Sequence, residues 1–307
     1  MTGPPLDAAD EALLGALAQD GRAGVEALAR TTGLPRGTVR TRTQRLLAEV
    51  VDVLGIVHPA VFGLTEYALV RVAATGPVGP VAAAVAALDA VPFVSVTAGE
   101  TALVAEVRTR TRAALAGTVA RIAAAPGVLS AESSPYLEIL KDASVAATPT
   151  GDDTVASGAP TEPVDALDRR LLAELQRDGR LSYSSLAEGV GLSVGATRTR
   201  VLRLLDTGVL HIGVRPRPVA AGLVQAGVAM AAHGPVEPLI EQLRRVDSVT
   251  YLATALGRWP LIATVRAESL GGLADQLDRV RSLPGAGPST TWTHLRLVKE
   301  RYQDDLA

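Results

Sequence analysis

Cysteine is absent from this 307-residue chain. Its absence excludes disulfides, zinc ribbons and thiol nucleophiles, and it fits a reducing compartment. Apolar runs are short, none approaching the roughly 18 residues of a membrane span, so no membrane partner is expected. Residues 1–7 hold neither a basic stretch nor an apolar one, which predicts no secretory leader and a cytoplasmic location. Lysine is nearly missing: Lys141 and Lys299 are the only two among 30 basic residues. With so much Ala and Gly, that bias reads as GC-rich codon usage, and arginine in place of lysine is not a functional signal by itself. No phosphate-cradling glycine loop stands between a strand and a helix. The histidines His58, His211, His233 and His294 are not at metal-ligand spacing, and His58 and His211 read as surface or hinge residues. No pair of acids forms a catalytic motif. The net charge of −2 is not that of a polycation. Any nucleic-acid contact must therefore come from local basic charge.

What is present is one module written twice. Asp20-Gly21-Arg22 recurs as Asp178-Gly179-Arg180, a shift of 158 (178 less 20). The same shift carries Leu28-Ala29 onto Leu186-Ala187, Arg40, Arg42 and Arg45 onto Arg198, Arg200 and Arg203, Gly99 onto Gly257, and Lys141 onto Lys299. So constant an offset marks a tandem copy of a whole subunit, not a solenoid repeat. Residues 143–163, rich in small residues with three prolines, have no period and read as a flexible linker. About 21 residues of coil have a root-mean-square span on the order of 25 Å and stretch to roughly 70 Å. That reach permits the copies to pair within one chain.

Each copy opens with three short helices. In the second, Leu167, Leu171, Leu172 and Leu175 form an amphipathic stripe, with Asp165 as N-cap and Gly179 as the stop. A short helix ends at Gly191. A third follows, with Val194, Thr197, Val201, Leu204 and Leu205 expected on its inner side. Residues 209–214 then read as a β ribbon, either a small wing or a spacer. The first copy repeats this with Leu13, Leu14 and Leu17, with Gly33, and with residues 50–57 as the ribbon. The rest of each copy follows a strand–helix–strand–strand–helix–strand order, the ferredoxin-like unit. The expected fold is thus α+β: two copies of a winged helix-turn-helix domain followed by a ferredoxin-like βαββαβ domain. Boundaries fall at 1–58, 59–142, 143–163 (linker), 164–216 and 217–307.

Helix, glycine turn and helix make a helix-turn-helix, whose last helix enters the major groove. The third helices carry Arg36, Arg40, Arg42 and Arg45 in the first copy, and Arg198, Arg200 and Arg203 in the second, with no acid among them. These arginines are the expected contacts to double-stranded DNA. Because the helices differ, each half of a DNA site is expected to be read differently.

The second copy's Leu167-Asp168-Arg169-Arg170-Leu171-Leu172, Asp178-Gly179-Arg180, Val190-Gly191-Leu192-Ser193 and Gly208-Val209-Leu210 resemble the leucine-responsive regulator/AsnC (Lrp/AsnC) family of transcription factors. The first copy is similar but looser, with Pro35 where the second has Ser193. The resemblance implies DNA binding by the helical part, and effector sensing and dimerisation by the rest. It implies a small-molecule effector held between sensing domains, an intramolecular pseudo-dimer, and further homo-oligomers, with no cofactor. The family's effector loop corresponds to Gly99-Glu100-Thr101-Ala102 and Gly257-Arg258-Trp259-Pro260. Gly99, Glu100, Gly257 and Arg258 are therefore the candidate effector residues, although both glycines also suit plain turns. The usual acidic pair is missing, and Arg258 would favour an anion over an α-amino cation. Two other readings remain. One is an enzyme resembling sirohaem decarboxylases, using His233, His294, Arg258 and Arg266. The other is a co-regulator whose DNA helices have decayed.

Overall fold

The computed structural model describes residues 6–57, 59–142, 162–216 and 223–300. His58 and nearly all of the expected linker, residues 143–161, lie outside the described residues. The first copy runs α1 (Ala8–Gln19), α2 (Val25–Thr32), α3 (Arg36–Glu49), β1 (Val51–Val57), β2 (Glu66–Ala74), α4 (Val78–Ala86), β3 (Phe93–Gly99), β4 (Leu103–Thr109), α5 (Arg112–Ala123) and β5 (Val128–Asp142). The second repeats it as α6 (Ala166–Arg177), α7 (Tyr183–Val190), α8 (Val194–Asp206), β6 (Leu210–Pro216), β7 (Val224–Ala232), α9 (Glu237–Arg244), β8 (Val249–Ala255), β9 (Leu261–Ala267), α10 (Leu270–Arg281) and β10 (Ala286–Glu300). These elements sort into two compact units, each built from both copies. One joins the helical part of each copy through β1 and β6; the other joins the two β-rich parts.

In the helical unit, α1 and α6 each start with a reciprocal capping box, Asp7 with Asp10 and Asp165 with Asp168. Leu13 and Leu17 in the first copy, and Leu171, Leu172 and Leu175 in the second, are fully buried. The residues expected to form a wing do something else. Among the described residues neither copy has a wing hairpin of its own. Instead β1 pairs antiparallel with β6 across the copies, with Val53 opposite Val214 and Gly55 opposite Ile212. A lone strand leaves its backbone groups unpaired, and the other copy's strand supplies the partners. His211, expected to be a surface or hinge residue, is half-buried in this ribbon, and burial lowers its pKa.

The Asp-Gly-Arg repeats lock the same joint. Arg22 donates to the carbonyls of Gly179 and Leu181, both at 2.6 Å, and its guanidinium lies 4.9 Å from the centre of the Tyr183 ring. Arg180 donates in return to the carbonyls of Gly21 and Ala23. Gly179 is not the helix stop that was expected. Asp178 caps α6 in an extended conformation, and a Cβ on Gly179 would stand 3.0 Å from the Leu54 carbonyl carbon of the other copy. The glycine is there to let the copies approach.

In the β-rich unit the strands of the first copy lie in the order β5-β2-β4-β3, and those of the second in the order β10-β7-β9-β8. The two sheets form a single structure. They join edge to edge, β5 to β8 and β10 to β3, into a closed eight-stranded barrel. Closure explains why β5 and β10 run to 15 residues each: beyond its own sheet each serves as the other copy's edge partner. Side chains alternate along each strand. Ala68, Val70 and Val72 belong to the apolar core under α4 and α5, and Ala226, Val228 and Met230 to that under α9 and α10. The intervening positions Leu69, Val104, Ile262 and Trp292, with Trp259 from the loop before β9, build a third core shared by both copies.

Candidate nucleic-acid interface

Helices α3 and α8 each follow a left-handed glycine, Gly33 at φ 72° and Gly191 at φ 76°. Such a backbone favours glycine and sets the tight turn between the two helices. Val39, Thr43 and Leu46 of α3, and Thr197, Val201 and Leu204 of α8, point into the core. Val194 was expected with them. It is half exposed instead, because it opens the first turn beyond the edge of the buried stripe.

The arginines split into two groups. Arg42 Nη1 lies 2.7 Å from Asp7 and 3.0 Å from Asp10, and Arg45 pairs with the other Asp10 oxygen. In the second copy Arg200 Nη1 lies 2.7 Å from Asp165 and 2.9 Å from Asp168, while Arg203 lies 2.6 Å from Asp168. Arginines three apart share a helix face, and here that face grips the capping box of the first helix. Asp10 and Asp168 are only 1% exposed. Burial pushes the Asp10 carboxyl up, but hydrogen bonds from Arg45, Arg42 and the Asp7 amide outweigh it and hold its pKa at about 2. Hydrogen bonding from Arg42 first, then from the Asp10 amide, lowers Asp7; for Asp165 the amide of Asp168 comes first, then Arg200. The structure therefore gives Arg42, Arg45, Arg200 and Arg203 an internal task, each holding a carboxylate of a capping box.

What faces solvent is the remaining row. Arg36 pairs with Glu26 at 3.2 Å, both side chains about three-quarters exposed. Such a pair contributes little and exchanges readily. Arg40 and Arg198 are exposed and make no ion pair among the described residues. Thr41 and Gln44 accompany Arg40; Thr199, Val194 and Leu202 accompany Arg198.

The candidate effector loops are equivalent in sequence position yet built differently. Gly99 has φ 131°, and a Cβ there would meet the Thr291 carbonyl oxygen at 2.9 Å. Glu100 accepts a hydrogen bond from Thr290 Oγ1 at 3.0 Å. The first copy's loop is thus closed down on β10. Gly257 at φ 116° has open space around it, and the Arg258 guanidinium lies 4.7 Å from the centre of the Trp259 ring.

Sequence reading missed the polar groups inside the barrel other than His294. Arg71 is buried, with Nη2 2.7 Å from Glu132 and Nε unpartnered. Glu106 pairs with Arg108. Tyr136 and Tyr251 stand with ring centres 6.2 Å apart, and burial pushes both phenols up. A charge inside the apolar strand at 66–74 was the visible signal for Arg71. His294 Nδ1 lies 3.0 Å from Ser95 Oγ, and burial lowers its pKa to about 4. Neutral His294 is favoured in the fold while the unfolded chain takes up a proton below its ordinary 6.5. Barrel stability is therefore full above that pH and falls as pH drops from 6.5 towards 4, by on the order of 3 kcal/mol. Urea unfolding followed by tryptophan fluorescence should show this slope, and His294→Gln should flatten it.

Comparison with known proteins places this geometry. The AsnC-type helix-turn-helix model matches residues 6–47 and again 164–205, and the Lrp/AsnC ligand binding domain model matches residues 67–146. The transcriptional regulator LrpA of Mycobacterium tuberculosis is 36% identical over 125 residues, covering 39% of this chain and 83% of LrpA. The chain belongs to the Lrp/AsnC family. A second relative, the regulator AldR of the same organism, is 29% identical over 143 residues, which is 43% of this Lrp/AsnC chain and 80% of AldR. Each regulator thus matches less than half of the chain, as expected when one family subunit is written twice. Over the whole length, a crystal structure of the siroheme decarboxylase NirDL aligns with a TM-score of 0.64, covering 95% of this Lrp/AsnC chain and 92% of the other. At 13% identity that likeness concerns the fold alone.

Proposed function

We propose that this Lrp/AsnC chain is a sequence-specific regulator that binds double-stranded DNA as an intramolecular pseudo-dimer and answers to a small-molecule effector. The observation that carries the reading is the joint between the helical domains. The β1–β6 ribbon and the reciprocal Arg22 and Arg180 bonds hold two exposed recognition helices in one unit. Such a unit suits two half-sites on one duplex. Arg40 and Arg198, together with Arg36, are the contacting arginines; Arg42, Arg45, Arg200 and Arg203 support them from behind. Each sensing half is a ferredoxin-like unit closed against its twin. The effector is assigned to the loops of Gly99, Glu100, Gly257 and Arg258, with the open Arg258 loop favouring an anionic group. Leu137, Leu295 and Leu297 are exposed on β5 and β10 and support further self-assembly.

The test is a salt series. Arg40→Ala/Arg198→Ala should weaken binding at low salt and make the slope of log K against log salt shallower by about 2, since each lost phosphate contact removes about 0.9. An unchanged affinity and slope in gel-shift titrations would sink the DNA-binding reading.

A further inference from the structure

The two recognition faces are not chemical copies. Position for position, Arg36 of α3 is replaced by Val194 in α8, Thr38 by Ala196, and Gln44 by Leu202, while Arg40-Thr41 is kept as Arg198-Thr199. These substitutions are not buried ones. Val194 is 50% exposed and Leu202 37% exposed. Val194, Arg198 and Leu202 stand at i, i+4 and i+8, one line along the outer face, about 12 Å long. That length spans three to four base pairs. Thr199 adds to the apolar character: its hydroxyl turns back to the Gly195 carbonyl at 3.1 Å, so the helix itself satisfies its polar group.

We infer that the second copy reads its half-site through thymine methyl groups, and the first copy reads its own through purine edges. The inference rests on the DNA-binding reading above. In the major groove the thymine C5-methyl is the one apolar landmark, and aliphatic side chains are its partners. Val194 and Leu202 offer two such partners on either side of the shared Arg198. In the first copy the same places hold Arg36 and Gln44, whose side chains match guanine O6/N7 and adenine N6/N7. Arg36 is withheld only by an exposed pair with Glu26, which DNA can displace. Because one chain carries both faces in one unit, the site it selects has a fixed polarity: a thymine-rich half and a purine-contacting half that cannot be exchanged by the molecule's own pseudo-symmetry.

Binding-site selection with the full chain, followed by base-analogue substitution, tests this. Selection should return two unequal halves. Replacing the thymines of the thymine-rich half by uracil removes only the methyl groups. It should weaken binding about three- to fivefold per contacted methyl, the worth of one buried carbon. The same replacement in the other half should have no effect. Val194→Arg/Leu202→Gln should redirect the thymine-rich half towards the sequence of the other, and should abolish the uracil penalty. The reciprocal Gln44→Leu should create a uracil penalty in the other half. All these positions are at the surface, so far-UV circular dichroism should be unchanged. Identical halves, or a uracil penalty that Val194→Arg/Leu202→Gln leaves intact, overturns the inference while DNA binding stands. Selection of no DNA at all overturns the DNA-binding reading, and the inference with it.

Discussion

Gly227→Leu should be among the most damaging single changes in the barrel, and Trp292→Ser in the same chain should repair most of the damage. A Cβ on Gly227 would stand only 2.0 to 2.3 Å from three atoms of the Trp292 indole. That ring is 4% exposed and enclosed by the core shared between the copies, so it cannot swing into solvent. Overpacking of this kind costs up to about 3 kcal/mol. Trp292→Ser alone should cost about as much or more, by leaving a cavity. The first copy shows the alternative solution. There Leu69 stands opposite Ser134, at the places that Gly227 and Trp292 occupy in the second copy. One copy puts the large residue on its first strand, the other on its last. The double variant rebuilds the first copy's pair inside the second, and it should recover to within about 1 kcal/mol of the parent, a strongly non-additive result. Denaturant midpoints of the four chains measure this. A double variant no more stable than the sum of its single changes would refute the claim that these two positions share one space.

The duplication, the order of elements and the three-helix pattern were all legible, because each rests on local periodicity or on a fixed offset. What was not legible is what one copy does to the other. The β1 and β6 segments read correctly as strands, but strand period says nothing about partner, and a wing and a cross-copy ribbon have the same sequence signature. Gly179 read as a helix stop because helix stops are a local rule. Its actual constraint is the Leu54 backbone of the other copy, which no local window contains. Closure of the barrel is likewise a non-local pairing, and the full 15-residue length of β5 and β10 shows only in the structure.

The arginines show the same limit at shorter range. Counting basic residues on α3 and α8 did not separate the exposed side chains from those held in internal ion pairs. Arg42 and Arg45 are arginines like Arg40, but acids more than 30 residues earlier in the chain hold them. The clue was available: the spacing of Asp7 to Asp10 and of Arg42 to Arg45 recurs as Asp165 to Asp168 and Arg200 to Arg203. A pattern of four charges kept in both copies, two of them at a helix cap, points to an internal network more than to a solvated or DNA-facing surface. Val194 fell on the wrong side for the opposite reason. An aliphatic residue was assigned to the core by type, although it stands at the first turn where the helix face is open.

That network predicts the second large effect. Asp10→Ala should destabilise the first helical bundle by about 2–3 kcal/mol, because it removes the charged hydrogen bonds to Arg42 and Arg45 and half of the α1 capping box. Asp10→Asn keeps the shape and one acceptor, and should cost less. The wild-type protein should show the same interaction as an acid limb. The Asp10 carboxyl titrates at about 2 in the fold, against 3.8 ordinarily. A lowered folded pKa means stability that is complete above about pH 4 and is lost as pH falls towards 2, here about 2 kcal/mol. Asp10→Asn should remove that part of the limb. The two tryptophans, Trp259 and Trp292, both belong to the barrel. Unfolding of the helical unit should therefore be read by far-UV circular dichroism, with tryptophan fluorescence as an internal control that stays unchanged. Equal midpoints for the wild type and Asp10→Ala by circular dichroism would mean that the arginines are not held by this carboxylate. Arg42 and Arg45 would then return to the DNA-facing set.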